Sequence, residues 1–182
     1  MKHPTIIEGP DAARAAADHV LGDAQAQLTL LEYGDYACPT CIQAEPLMQQ
    51  LVATHPGRLC LVFRHFPLME VHPTAELAAE AAEAAAAQGR FWPMHQLLFA
   101  QAHQLTPAAL TGYAQSLGLD MNRFNAEMAD HIYTQRIQEH RRAGERSGVR
   151  ATPAFFLNGK PVDVSFGFER LEAAVQAALK AA

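Results

Sequence analysis

A Cys-x-x-Cys pair set between a strand-like run and a helix start constrains this chain more than any other feature. Gln27 to Tyr33, "QLTLLEY", is a short apolar run bounded by Gly22-Asp23 and Gly34-Asp35, which predicts a buried strand. Cys38, Pro39, Thr40 and Cys41 follow, and a helical pattern runs from Pro39 to about Thr54, interrupted by Pro46. Cys38 therefore falls at the N-cap and Pro39 at the first helical position, where a missing N–H does no harm. The unpaired N–H groups of the first turn and the positive end of the helix dipole face the Cys38 sulfur. Both favour thiolate over thiol, so a lowered Cys38 pKa is expected. Cys41 lies on the same helix face, within disulfide reach but more buried. An exposed attacking thiol beside a shielded resolving thiol is what disulfide exchange requires.

The rest of the chain supplies an order of elements. Asp11 to His19 is Ala-rich and reads as a short helix. Arg58 to Phe66, "RLCLVFRHF", is a second strand. Thr74 to Gln88 is an Ala-rich helix on which Glu76, Glu80 and Glu83 form an acidic stripe, expected to face solvent. Helices follow over Phe91 to Gln101 and over Pro107 to Leu117, the latter with Thr106 as N-cap. Asp120 caps a longer helix on which Met121, Phe124, Met128 and Ile132 recur, ending near Gly144 to Gly148. Asn158-Gly159 between two apolar runs predicts a tight antiparallel hairpin, because a type I′ turn needs two positive φ angles. A last helix covers Glu169 to Ala181, with Leu171, Val175 and Leu179 on one face. No repeat or linker divides the chain, so residues 1–182 read as one domain.

Composition removes several classes of function. The chain is 49% apolar and 18% charged, as an ordinary globule is. Its net charge of −5 and lack of a basic run argue against nucleic acid as a partner. No apolar stretch approaches the roughly 20 residues of a membrane span. The N-terminus shows no apolar signal core, so the sequence as written reads as cytoplasmic, or as periplasmic if Met1 is engineered. Three cysteines are too few, and odd in number, for a disulfide scaffold, which leaves redox chemistry, a metal or simple packing for Cys38 and Cys41. A metal needs two more ligands. Cys60, His55, His65, His72 and His95 are available, but none stands at paired-ligand spacing, so no metal is expected. Cys60, inside "LCLVF", reads as a small core hydrophobe. Glu32, near a strand end, reads either as a solvated acid or as a functional one.

The stretches "EYGDYACPTC" and "ATPAFFLNG" together resemble the thioredoxin superfamily, specifically its DsbA-like branch, over nearly the whole chain from Val20 to Leu179. Four features match in order: the Cys38–Cys41 dithiol, Glu32 six residues before it, Pro46 eight residues after Cys38, and Thr152-Pro153 at the hairpin start. The run "FRHFPL", Phe63 to Leu68, is similar to one in short bacterial DsbA-like proteins. The resemblance implies an α/β thioredoxin-like fold with a central mixed β-sheet and a helical insertion over residues 71–147. It implies a thiol–disulfide oxidoreductase in which Cys38 attacks or is attacked, Cys41 resolves and Glu32 handles the proton. Such an acid, buried beside Cys41, would have a raised pKa. Pro39, Thr40, Thr152 and a cis Pro153 would meet the substrate, whose backbone could pair strand-fashion with Thr152. No cofactor is implied. The expected partners are cysteine-containing protein substrates and a reductase or oxidase that resets the dithiol; nothing sets an oligomeric state. Pro39-Thr40 offers no cationic side chain to hold a thiolate, so a milder oxidant than relatives with a histidine there is expected or, in the cytosol, a reductase or isomerase. Two other readings are a redox-switched binding module with little turnover and a glutathione-using isomerase or transferase.

Overall fold

The computed structural model describes residues 18–181. Five strands, β1 (His19–Leu21), β2 (Leu28–Gly34), β3 (Leu59–His65), β4 (Ala154–Leu157) and β5 (Lys160–Val162), form one sheet in the order β1-β3-β2-β4-β5. The central pair β2 and β3 is parallel, with Glu32 opposite Phe63, and every other pairing is antiparallel. This is the mixed sheet of a thioredoxin-like fold, as expected. All seven residues of β2 and of β3 are buried. Continuous burial, rather than alternation, follows when helices cover both faces of a sheet. On one face Leu28, Leu30, Leu59, Leu61, Phe155 and Leu157 pack against α1 (Pro39–Thr54) and α7 (Glu169–Ala181), the latter through Leu171, Val175 and Leu179.

Five helices stand between β3 and β4: α2 (Ala75–Ala86), α3 (Phe91–Ala100), α4 (Pro107–Ser116), α5 (Met121–Ala129) and α6 (Thr134–Arg146). The caps expected from sequence are in place: Thr106 Oγ1 accepts from Ala109 N, and Asp120 Oδ1 accepts from Arg123 N. Pro46 lies inside an uninterrupted α1. At the hairpin Asn158 and Gly159 have φ of 46° and 79°, and Asn158 Oδ1 also accepts from Thr29 N at 2.7 Å, fixing the turn to β2.

Three expectations need correction. The long helix after Asp120 is two helices, because His131 turns left-handed (φ 50°) and ends the first; Ile132 is left 52% exposed. His19 does not end a helix but lies in β1, paired with Phe63; the remainder of the helix expected over Asp11 to His19 falls outside the described residues, Asp18 excepted. The acidic stripe is not a solvated face, since Glu80 and Glu83 are each 3% exposed. The alanines of α2 let α3, α5 and α6 close around it, and the carboxylates are satisfied by His131 on one side and by His19, His65 and Arg136 on the other.

Close packing also fixes Gly144 in α6. A Cβ there would lie 2.8 Å from two Phe66 ring carbons and 3.1 Å from Tyr33. Gly144→Val should therefore cost about 2 kcal/mol by overpacking, read as a lower denaturation midpoint with an unchanged m-value. A neutral result would mean that α6 can shift away from the sheet.

Candidate active site

The end of β2 and the start of α1 are joined by a turn that Asp35 builds. Its Oδ1 accepts from Ala37 N at 2.8 Å and its carbonyl accepts from Cys38 N at 3.1 Å. Its Oδ2 accepts from Leu68 N at 2.9 Å and lies 2.8 Å from His72 Nδ1, so the turn is anchored to the loop after β3. Sequence reading passed over Asp35 as a strand boundary, although a Gly-Asp pair just before a helix start signals such a turn.

That turn delivers Cys38 to the N-cap of α1 with extended backbone and Pro39 into the first helical turn, as the spacing predicts. Cys41 is fully buried, and Cys38 is only 6% exposed. The expectation of an exposed attacking thiol is thus corrected. Cys38 is roofed by the Thr152–Pro153 segment, whose peptide bond is cis, and its Sγ lies 3.4 Å from the Thr152 carbonyl oxygen. Pro39 and Thr40 are exposed beside it, Pro153 is buried and Thr152 half-buried. Cys38, Cys41 and Cys60 are all free thiols.

The two neighbouring sulfurs differ sharply in acidity. The Cys41 thiol beside it, together with the Thr152 side chain and the Cys41 and Thr40 backbone, holds Cys38 down at about 5 against the opposing effect of burial. Burial pushes the Cys41 thiol far up, and its bond to Cys38 and the nearby Glu32 charge push it the same way. A thiolate at Cys38 stabilised by a thiol at Cys41 accounts for both directions.

Glu32, in mid-sheet on β2, is 1% exposed and neither carboxyl oxygen has a hydrogen-bond partner. Its solvated reading fails on that burial. Desolvation raises its pKa well above the usual carboxylate range, and the charges of Glu45 and Cys38 add to the shift. Sequence reading missed Glu45, His95 and Tyr36, which line the same region. Glu45 Oε1 accepts from Gln49 at 2.7 Å, His95 Nε2 lies 3.1 Å from Glu45 Oε2, and His95 Nδ1 lies 2.9 Å from the Tyr36 hydroxyl. No local signal marks them, since they come from α1, α3 and the turn. Cys60 is not brought to the dithiol; it is fully buried in β3, 3.6 Å from Thr29 Oγ1, as a core residue.

Comparison with known proteins agrees with this geometry at the level of the family. Residues 14–177 match the family described as Thioredoxin. The chain is 48% identical over 161 residues to a protein named Na(+)/H(+) antiporter NhaA 1 of Salinispora arenicola, covering 88% of this chain and 24% of that protein. It is 37% identical over 174 residues to one named Na(+)/H(+) antiporter NhaA of Herminiimonas arsenicoxydans, covering 96% of this chain and 27% of that protein. The chain thus spans about a quarter of the length of these curated relatives. Among solved structures, a thioredoxin-like oxidoreductase from Silicibacter pomeroyi superposes with a TM-score of 0.78 at 28% identity, over 91% of this chain and 94% of that one. BdbD from Bacillus subtilis shares the fold with a TM-score of 0.77 at 21% identity, over 88% and 92% of the two chains. A match over residues 14–177, which runs through the sheet and the helices alike, places this chain in the thioredoxin family.

Proposed function

We propose that the chain exchanges disulfides with cysteine-containing proteins through Cys38 and Cys41, as an oxidant of intermediate strength. The observation that carries this reading is the opposed acidity of the two sulfurs, with Cys38 held at about 5 and Cys41 pushed far up. In the oxidised protein a substrate thiolate attacks Cys38 Sγ and breaks its bond to Cys41. Cys41 leaves as a thiolate and takes a proton, for which the buried Glu32 carboxyl is the donor. A second substrate thiolate then attacks the substrate sulfur of the mixed disulfide, and Cys38 departs as a thiolate. Two substrate thiols become a disulfide and the protein dithiol is reduced; read backwards, the same steps reduce a substrate. A low Cys38 pKa makes Cys38 a good leaving group in the second attack.

Thr152 and Pro153 roof Cys38, and the exposed Pro39 and Thr40 flank it, so a substrate segment laid along Thr152 would bring its cysteine to Cys38. The Cys38 value lies between the roughly 7 of thioredoxin and the roughly 3.5 of DsbA. The potential of the pair should accordingly fall between about −270 and −120 mV, and that poise decides whether the partner that resets the dithiol is an oxidase or a reductase. Among the described residues no helix is long and apolar enough to cross a membrane. We assign the antiport in the relatives' names to sequence outside the matched quarter.

Trapping tests the reading. Cys41→Ser should accumulate covalent mixed disulfides with cysteine-containing proteins, which dithiothreitol releases, and Cys38→Ser should accumulate none. If neither variant traps a partner and the pair does not oxidise in a glutathione series, the exchange reading is wrong.

A further inference from the structure

Away from the dithiol, three donors converge from elements far apart in sequence. Nε2 of His19 on β1 and Nε2 of His65 at the end of β3 each lie 2.8 Å from the same oxygen, Oε1 of Glu83 on α2. The donor atoms of these three residues all lie within 4.8 Å of one another. The remaining carboxylate oxygen, Oε2, is held 2.9 Å from Arg136 Nε on α6. We infer that His19, His65 and Glu83 form a binding site for a divalent first-row transition cation of the Zn2+ type, which would tie β1 and β3 to α2.

The donor set selects the class of ion. Two imidazoles and one carboxylate suit zinc and its neighbours, whereas calcium and magnesium take all-oxygen shells. The distances fit once the donors shift: the two imidazole nitrogens lie within 4.8 Å of each other and close toward the ion, while their contacts to the carboxylate open. Bonds of about 2.0–2.1 Å in tetrahedral geometry separate donors by about 3.3 Å, so each 2.8 Å contact has to open by roughly half an ångström. Arg136 pairs with Oε2, the oxygen the histidines do not touch, as outer partners of metal ligands do, which leaves Oε1 for the ion. Its positive charge lowers the affinity without removing a donor. In the ion-free protein Glu83 Oε1 holds the ring proton on His65 Nε2; Nδ1 has no hydrogen-bond partner, so the proton can move there when an ion takes the Nε2 lone pair. The His19 ring is set by stacking on Phe91, with centroids 3.5 Å apart. His65 and Glu83 are 1% and 4% exposed at the side chain and His19 13%, so an ion would enter past His19.

The same contacts could serve purely as a buried ion-pair cluster, and the experiment separates the two. The full chain carrying Cys38→Ser and Cys41→Ser, which removes the competing dithiol, is titrated with Co2+ and then with Zn2+. The expected result is saturable 1:1 binding of Co2+, ligand-field bands without thiolate charge-transfer absorption, displacement by Zn2+, and a melting temperature that rises with Zn2+. His19→Ala in that background should weaken binding by at least about tenfold, and in the otherwise native chain should leave disulfide exchange unchanged. Glu83→Gln, which keeps the side chain's size, should weaken binding as well and serves if His19→Ala does not fold. No saturable binding, or an affinity equal in the parent and both variants, overturns the site and leaves an ion-pair cluster alone.

Discussion

In the reduced protein, iodoacetamide should alkylate Cys38 at a rate that is half-maximal near pH 5, and Cys38→Ser should bring disulfide exchange down to the background of the buffer. The ordinary value of 9.0 for a thiol would leave about 1% thiolate at pH 7, while a value of about 5 leaves about 99%, a difference of roughly 100-fold in reactive species. A serine in its place can neither carry the mixed disulfide nor leave as a thiolate, so the whole reaction is lost and not merely slowed. The same shift predicts a stability profile. Cys38 has a folded-state pKa below its unfolded value, so its contribution is present above about pH 9 and is lost as pH falls through about 5. The reduced protein should therefore gain stability over the oxidised one as pH rises between those limits, a slope that urea unfolding of both forms would measure. An alkylation midpoint near 9 with no such slope would remove the basis for an oxidant.

Glu32→Gln should slow the first attack, in which Cys41 leaves and takes its proton, by about 100-fold, the usual worth of a positioned proton donor, while leaving the second attack on the mixed disulfide nearly unchanged. Stopped-flow separation of the two steps against a substrate peptide would show it. The variant should also change the stability profile in the opposite sense to Cys38. Glu32 has a raised folded-state pKa, so the stability linked to its proton is present below the unfolded value of about 4.5 and declines as pH rises through the folded one. The neutral amide removes that decline. The variant should unfold at higher urea than the native protein at pH 8 and at a similar concentration near pH 4. Equal rates for both steps, combined with an unchanged pH profile, would mean that another group supplies the proton to Cys41.

The site residues differ in how far the sequence exposes them. Cys38 and Pro39 are legible because a proline next to a half-cystine motif at a strand-to-helix turn is a local arrangement. The hairpin at Asn158-Gly159 is legible for the same reason, since its two positive φ angles are demanded by two adjacent residues. Glu32 and Pro153 could be singled out only through resemblance, for nothing within a few residues of either says what lies opposite. Glu45 and Tyr36 escaped as site residues, His95 was weighed only as a metal ligand, and the convergence of His19, His65 and Glu83 escaped as well. Glu83 was misread for a specific reason: an acidic stripe at spacings of three and four looks alike whether water or a ring of histidines and arginine stands in front of it.

The division follows the range of the forces. The strands β2 and β3, the caps at Thr106 and Asp120, the turn at Asn158-Gly159 and the placement of Cys38 at the N-cap of α1 were determined by sequence alone, because backbone sterics and capping act within about four residues. The burial of Cys38 under Thr152–Pro153, the break at His131 and the gathering of buried charge around Glu83 were decided only by the tertiary structure. Those depend on desolvation and on partners brought from other elements of the chain, whose energies do not exist until the sheet and helices have packed.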